Sequence, residues 1–173
     1  MPKLISPDKF LTDKEGYYSW SPKASSEAWT RCYRELGRTL GEIEDGRLLM
    51  TVGIPASGKS SVLQGTQGPS SLQRTIQEYD VAFDATFRSR ISRSAILNLS
   101  IGAGWGVDCL YLDTPIEVCL GRQESRSERK VVPPGVILGM HSKLDVPELS
   151  EGFRRIYVFS RISERQQNLD EVG

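Results

Sequence analysis

Gly53-Ile54-Pro55-Ala56-Ser57-Gly58-Lys59-Ser60 is the stretch whose residue types and spacing could do chemistry most directly. It fits the pattern G-x-x-x-x-G-K-[ST], and the chemistry it suits is phosphate binding. Glycines let backbone N–H groups converge on phosphate oxygens. Lys59 can neutralise charge on the β- and γ-phosphates of a nucleotide, and the Ser60 hydroxyl can ligate Mg²⁺. The expected cradle is Gly53, Pro55, Ala56, Ser57, Gly58, Lys59, Ser60 and Ser61. A glycine-rich turn with a chance Lys-Ser would match the same pattern. Here the stretch follows a compact apolar run, LLMTVG (48–53), and opens a helix, which is the context that gives the pattern meaning.

A phosphate loop binds a nucleotide but names no reaction. In open parallel sheets, ligands lie beyond the carboxyl ends of the strands. The residues to read are therefore those just after each apolar run: Asp8 after LIS, Asp84-Ala85-Thr86 after YDVAF, and Asp113-Thr114 after CLYL. The segment PIEVCLGRQESRSERK adds cations. Arg122 and Arg126 are spaced one helical turn apart, on one face of the expected helix, and Arg129 and Lys130 follow as it gives way to loop. Such a stretch suits a lid over a transferring phosphate, where positioning and cations do most of the work. The same charges could also form a solvated helix face balanced by Glu124 and Glu128.

Elements alternating along the chain must position these residues. Ser21-Pro22 is a helix start, and Trp29, Cys32, Leu36, Leu40 and Ile43 recur at helical spacing until Asp45-Gly46. Strand 48–53 leads into a helix from Lys59 to about Leu63, and TQGPSS (66–71) reads as loop. YDVAFD (79–84) reads as a strand, 88–101 as a helix, and 107–112 as a further buried strand. A helix over 115–126, an irregular basic hinge over 128–134, a short helix in GVILGMHSKL and a last strand over 154–159 follow. The alternation predicts an α/β, three-layer, P-loop NTPase-type fold with a mostly parallel sheet of about five strands. One domain over 1–173 is expected: an N-terminal βα unit over about 1–47, a phosphate-loop core and lid over 48–162, and a polar tail over 163–173.

Composition sets the bounds. At 173 residues the chain can bury a real core in one domain. Lysine plus arginine equals aspartate plus glutamate, at 22 each, so no global basic field draws in nucleic acid. Three scattered cysteines, Cys32, Cys109 and Cys119, are too few for a disulfide framework or a metal site, and Cys109 reads as core. No run is long and apolar enough to span a membrane, and the opening residues lack a signal-peptide core. A cytoplasmic protein is the expectation.

GIPASGKSS, FDATFRSRISRS, LYLDTPIEVCLGRQESR and VPPGVILGM run in an order that resembles phage-type polynucleotide 5′-kinases and their zeta-toxin-like relatives, over most of 48–160. For a phage-encoded chain of that kind the compartment is the host cytoplasm. In those kinases the phosphate-loop unit comes first. A strand ending in an Asp motif follows, then an aromatic-rich segment and a helix. Here the piece between Lys59 and Tyr79 is too short to hold that second unit. The opening stretch LISPDKFLTDKEGYYSWSPKA, with the Trp29 helix, resembles the missing unit placed before the phosphate loop, so the resemblance implies a permuted order. Crossovers of the right hand permit such an order.

The resemblance implies these roles. Lys59 and Ser60 match the phosphate-loop lysine and hydroxyl. Asp8 corresponds to the general base, Asp84 and Thr86 to the acceptor-side strand end, and Arg122 and Arg126 to the lid arginines. The family's arginine three residues after the base is replaced by Leu11, and Arg88 or Arg90 could substitute for it. Without the permutation, the opening stretch is an extension and Asp80 or Asp84 would be the base. Tyr17, Tyr18 and Trp20 could stack on an acceptor base or staple the Trp29 helix. His141 reads as a surface residue.

The expected activity is Mg²⁺-dependent transfer of the γ-phosphate of ATP, or of GTP, to a hydroxyl, foremost a DNA or RNA 5′-OH. Two rivals stand beside it. One is a kinase of a small molecule such as a nucleoside, nucleotide, sugar nucleotide or antibiotic. The other is a nucleotide-binding switch that hydrolyses without an acceptor.

Overall fold

The apolar runs read as strands assemble into one parallel sheet. A computed structural model of the chain describes residues 1–15, 17–19, 21–126 and 131–160. Trp20, Glu128, Arg129, Lys130 and the polar tail over 163–173 lie outside the described residues. The strands are β1 (Lys3–Ile5), β2 (Arg47–Val52), β3 (Val81–Asp84), β4 (Gly106–Leu112) and β5 (Ile156–Phe159). Their order across the sheet is β1-β3-β2-β4-β5, and every neighbouring pair is parallel. The protein is thus α/β with a five-stranded parallel sheet flanked by helices.

The helices are α1 (Asp8–Leu11), α2 (Pro22–Glu42), α3 (Lys59–Leu63), α4 (Ser70–Ile76), α5 (Arg90–Gly102), α6 (Ile116–Glu124) and α7 (Pro134–Ser142). The twofold alternation of strand side chains divides the core into two layers. Leu48, Met50, Val52, Val81, Phe83, Val107 and Cys109 point to the face covered by Cys32 and Leu36 of α2 and Ile96 and Leu97 of α5. Leu49, Ala82, Leu110 and Leu112 point to the other face, covered by Val62 and Leu63 of α3 and Ile76 of α4. All three cysteines are buried and free.

Several element boundaries differ from the sequence expectation, each for a local reason. Ser21 does cap α2, its hydroxyl accepting from Ala24 N at 3.1 Å. The segment 66–71 is not all loop. Behind Pro69, α4 begins at Ser70 and turns Ile76 into the core with Leu72 against it, a helical pair hidden among Gly, Pro and Ser. Helix α5 starts at Arg90 rather than at 88, because Ser89 and Ser92 form a reciprocal capping box. Helix α6 stops at Glu124 with Ser125 as its C-cap, so Arg126 lies beyond the helix and does not share a helical face with Arg122.

In a parallel sheet all carboxyl ends lie on one rim. The ends of β1, β2, β3 and β4 therefore bring Asp8, the loop at Gly53, Asp84 and Thr114 to the same side. The amino rim holds a different cluster. There Asp108, fully buried, accepts from the Tyr79 hydroxyl at 2.6 Å and lies 3.4 Å from Arg154 and 3.7 Å from Arg47. Asp80 sits on that rim too, its carboxylate accepting from Arg47 N at 2.8 Å, at the opposite end of β3 from Asp84.

Candidate active site

The loop after β2 is built so that its carbonyls are occupied by side chains. Lys59 Nζ donates to Gly53 O at 2.8 Å and to Ile54 O at 3.0 Å. Arg122 Nη1 donates to Ala56 O at 2.7 Å, and Thr114 Oγ1 donates to Ser57 O at 2.8 Å. Ala56 and Gly58 both take left-handed backbone, with φ of 64° and 105°. The Ser57 hydroxyl is buried in this cradle and has no hydrogen-bond partner among the described residues. It fills the space that a Cβ on Gly53 would need, at 2.6 Å. Helix α3 runs for only five residues, so the loop amides and Lys59 matter more for an anion than the helix dipole does.

At Gly58 the left-handed backbone, with φ of 105°, by itself strains any side chain. A Cβ there would lie 3.0 Å from Gln67 Oε1 and 3.3 Å from Arg122 Nη1, on left-handed backbone. Gly58→Ala is expected to cost about 1–2 kcal/mol from the backbone alone. It should weaken MgADP binding as well, because the arginine must move. Urea unfolding and calorimetric titration would check both, and unchanged values would mean the loop relaxes freely.

Beside the loop, Asp84 ends β3 almost fully buried and uses both carboxylate oxygens. Thr51 Oγ1 donates to Oδ1 at 3.0 Å and Ser60 Oγ to Oδ2 at 2.9 Å. Thr51 reaches this carboxylate because its neighbour across the ladder is Asp84 itself. The Ser60 hydroxyl and the Asp84 carboxylate thus form a pair of hard oxygen donors at the mouth of the loop, a set suited to Mg²⁺.

Asp8 begins α1 directly after β1 and is solvent-exposed. It and Lys59, Ser60, Asp84, Thr86 and Arg126 line one pocket of about 330 Å³. Pro55, Ala56, Gly58 and Ser61 line the same pocket, and Leu11, Trp29, Phe87 and Met140 form an apolar wall. Trp29 stacks on Phe83 and meets Phe87 edge-on, with ring centroids 6.0 and 5.6 Å apart. A second, more open hollow of about 550 Å³ shares Asp8, Tyr18, Ser60, Asp84 and Arg126 and adds Lys9, Thr12 and Gln64.

A small turn carries Tyr18 back over α1 into both hollows. Thr12 and Tyr18 form an antiparallel bridge, and Ser19 N donates to Leu11 O at 2.8 Å. Burial first, then hydrogen bonding and charge from Asp8, hold the Tyr18 phenol above its usual range. Burial pushes the Lys59 ammonium down, and the charges of Asp84 and then Asp8 push it back up. Arg126 acts in the opposite sense, its charge lowering both groups.

The other expected residues are not brought here. Arg90 pairs with Glu148 at 2.6 Å and with Ser150 at 3.2 Å, and Arg88 is exposed with its carbonyl accepting from Asp145 N at 2.7 Å. Neither lines the pocket. Tyr17 is half exposed and His141 lies on the surface of α7. Sequence reading missed Thr51, which sits unmarked in an apolar run, and the apolar wall of Trp29, Phe87 and Met140. The periodicity of α2 marked Trp29 only as core.

No family model matches the chain, and no curated protein matches it. Among solved structures the chain is similar to an unliganded sugar kinase from Janibacter sp. HTCC2649, at 16% identity and a TM-score of 0.48. The match covers 73% of this chain and 92% of that one. At that distance the likeness concerns the course of the chain and says nothing of what this protein acts on. Among the described residues no helix is long and apolar enough to cross a membrane, and no cluster of three or more His, Cys, Asp or Glu could hold a metal ion.

Proposed function

We propose that this protein is a P-loop kinase that transfers the γ-phosphate of a nucleoside triphosphate, foremost ATP, to a hydroxyl. The observation that carries the reading is the single pocket where Asp8, Lys59, Ser60, Asp84 and Arg126 meet from four separate segments of the chain. Lys59 exchanges its two carbonyl acceptors for phosphate oxygens. Ser60 and Asp84 would hold Mg²⁺, which when bound draws charge from the phosphates. Asp8 takes the proton of the acceptor hydroxyl as its oxygen bonds to the γ-phosphorus. The bond from that phosphorus to the bridging oxygen breaks, and the nucleoside diphosphate leaves. Lys59 and Arg126 stabilise the charge that develops.

The preferred acceptor is the 5′-OH end of DNA or RNA. Support comes from the resemblance to phage-type polynucleotide 5′-kinases and from Lys9 and Arg126, two cations lining the open hollow beyond Asp8. The sheet order favours the permuted reading. Exchanging β1 and β2 in chain order turns β1-β3-β2-β4-β5 into 2-3-1-4-5 without moving a strand in space, and the phosphate loop then follows the first strand. The second reading, a small-molecule acceptor, is favoured by Leu11 and the apolar wall at the pocket, whose size suits a small ligand.

The test is transfer of labelled γ-phosphate to a panel of 5′-OH oligodeoxynucleotide, 5′-OH oligoribonucleotide, nucleosides, nucleoside monophosphates and sugars. Labelled oligonucleotide ends are the expected result. A labelled small molecule alone would move the assignment to the second reading, and label released only as phosphate would leave a nucleotide-hydrolysing switch. Oligonucleotide binding should also weaken with salt. Two phosphate contacts on a single strand give a log–log slope of about −1.4. A flat salt response would remove Lys9 and Arg126 as phosphate contacts.

A further inference from the structure

Spacing alone groups Arg122 with Arg126 as a pair of cations over the transferring phosphate. Their contacts separate them. Arg126 lines the pocket, whereas Arg122 donates to Ala56 O and is not among the pocket's lining residues. Thr114, from the segment that joins β4 to α6, donates to the very next carbonyl, Ser57 O.

We infer that Arg122 and Thr114 are positioning residues, a two-point clamp that sets the phosphate loop in its nucleotide-accepting shape before any ligand arrives. The inference rests on the reading of the loop as a nucleotide site. The physical reason lies in the planar trans peptide, where a carbonyl and the following N–H point in opposite directions. With the Ser57 carbonyl held on Thr114, the Gly58 N–H is turned away from Thr114, and Gly58 itself lines the pocket. With the Ala56 carbonyl held on Arg122, the Ser57 N–H is turned to Ile54 O, which it meets at 3.2 Å. The clamp thereby holds Ala56 and Gly58 on backbone of positive φ, a conformation that the loop sequence alone would not hold at Ala56. The guanidinium also packs on Gly58, where a Cβ would lie 3.3 Å from Nη1.

A clamp and a transition-state cation predict different measurements. MgADP lacks the phosphate that is transferred, so its affinity reports the loop and not the transfer. Arg122→Ala is expected to raise the MgADP dissociation constant about tenfold or more, as for loss of a charged hydrogen bond. Thr114→Val should raise it about two- to tenfold, as for a neutral one. Amide exchange at Ser57 and Gly58 in the nucleotide-free protein should quicken in both variants. Arg122→Met keeps the aliphatic stem and is expected to behave as Arg122→Ala does, which guards against a general folding defect. If Arg122→Ala and Arg122→Met keep MgADP affinity within about twofold and leave loop exchange unchanged while transfer falls, Arg122 is a cation of the transfer step and the clamp is wrong. Failure of the wild-type protein to bind MgADP would instead overturn the nucleotide reading itself.

Discussion

Replacing Asp8 by asparagine is expected to cut phosphate transfer by about 10²–10⁴-fold, the range for losing a general base, while leaving MgADP binding within about twofold. The two effects separate because Asp8 lines the pocket that the loop opens into, whereas Lys59 and the loop amides, the groups expected on the phosphates, stay in place. Its position follows from strand order. Strand β1 pairs with β3 in the register Ile5↔Phe83, so the residues just past β1 emerge beside the residues just past β3. Asp84 is committed to Thr51 and Ser60 through both oxygens. Asp8 is exposed, and its carboxylate accepts a hydrogen bond from the Tyr18 phenol. Of the two carboxylates in the pocket, Asp8 is therefore the one with room to accept a proton from a hydroxyl. Asparagine keeps the shape and removes the basic oxygen. If Asp8→Asn transfers phosphate to any acceptor at more than half the wild-type rate, Asp8 is not the base. The permuted reading would then lose its functional argument, although the sheet order would stand.

How much of this was legible in the sequence depended on whether a signal was local. The strand–loop–helix over 47–63 was legible because the glycines, lysine and serine of the loop lie within eight positions, and the apolar run before it announced a buried strand. The helix over Pro22–Glu42 was legible from its cap and its periodicity. Asp8 was singled out through resemblance and strand-end logic, because Pro-Asp by itself is only turn chemistry. The grouping of Arg122 with Arg126 followed helical spacing, and spacing cannot tell where a helix without a glycine stop will end. It ends at Glu124, two residues before Arg126, so the two do not share a face. The contacts of Thr51 with Asp84, of Thr114 with Ser57 and of Arg122 with Ala56 each join residues more than thirty positions apart. Side chains of those types are common on any surface, and only the folded sheet brings them to one rim. Helix α4 was hidden because Gly68, Pro69 and the two serines after them read as punctuation, and only Leu72 and Ile76 carried the helical period.

The largest expected loss of stability comes from a pair outside the site that nevertheless shapes it. Arg93 of α5 is fully buried and holds Glu151 through two bonds of 2.7 Å, Nε to Oε2 and Nη2 to Oε1. Its remaining nitrogen, Nη1, donates to Phe87 O and Asp145 O, both at 2.9 Å. Glu151→Ala leaves this guanidinium in the core without its counter-charge, which should cost about 3–5 kcal/mol in urea unfolding. Arg93→Met combined with Glu151→Leu removes both charges and should lose much less, because the desolvation cost of the charges disappears along with their attraction. Acid adds an independent check. Burial alone would raise the Glu151 carboxyl, but the hydrogen bonds from Arg93 and from Glu148 N outweigh it and hold the carboxyl below the usual range. A carboxylate depressed in the folded state adds stability above its unfolded pKa, and that stability is lost as pH falls through the folded value. The wild type should therefore weaken over that acid window, and the double variant should weaken less. Phe87 ties this to function. It sits at a φ of 46°, its carbonyl is held by Arg93, and its ring forms part of the pocket wall against Trp29. The double variant frees that carbonyl, so it should recover stability without recovering full transfer. A double variant that unfolds as easily as Glu151→Ala would show that the charge itself, and not its orphaning, stabilises the fold. One that transfers phosphate at the wild-type rate would show that the Phe87 wall needs no support from Arg93.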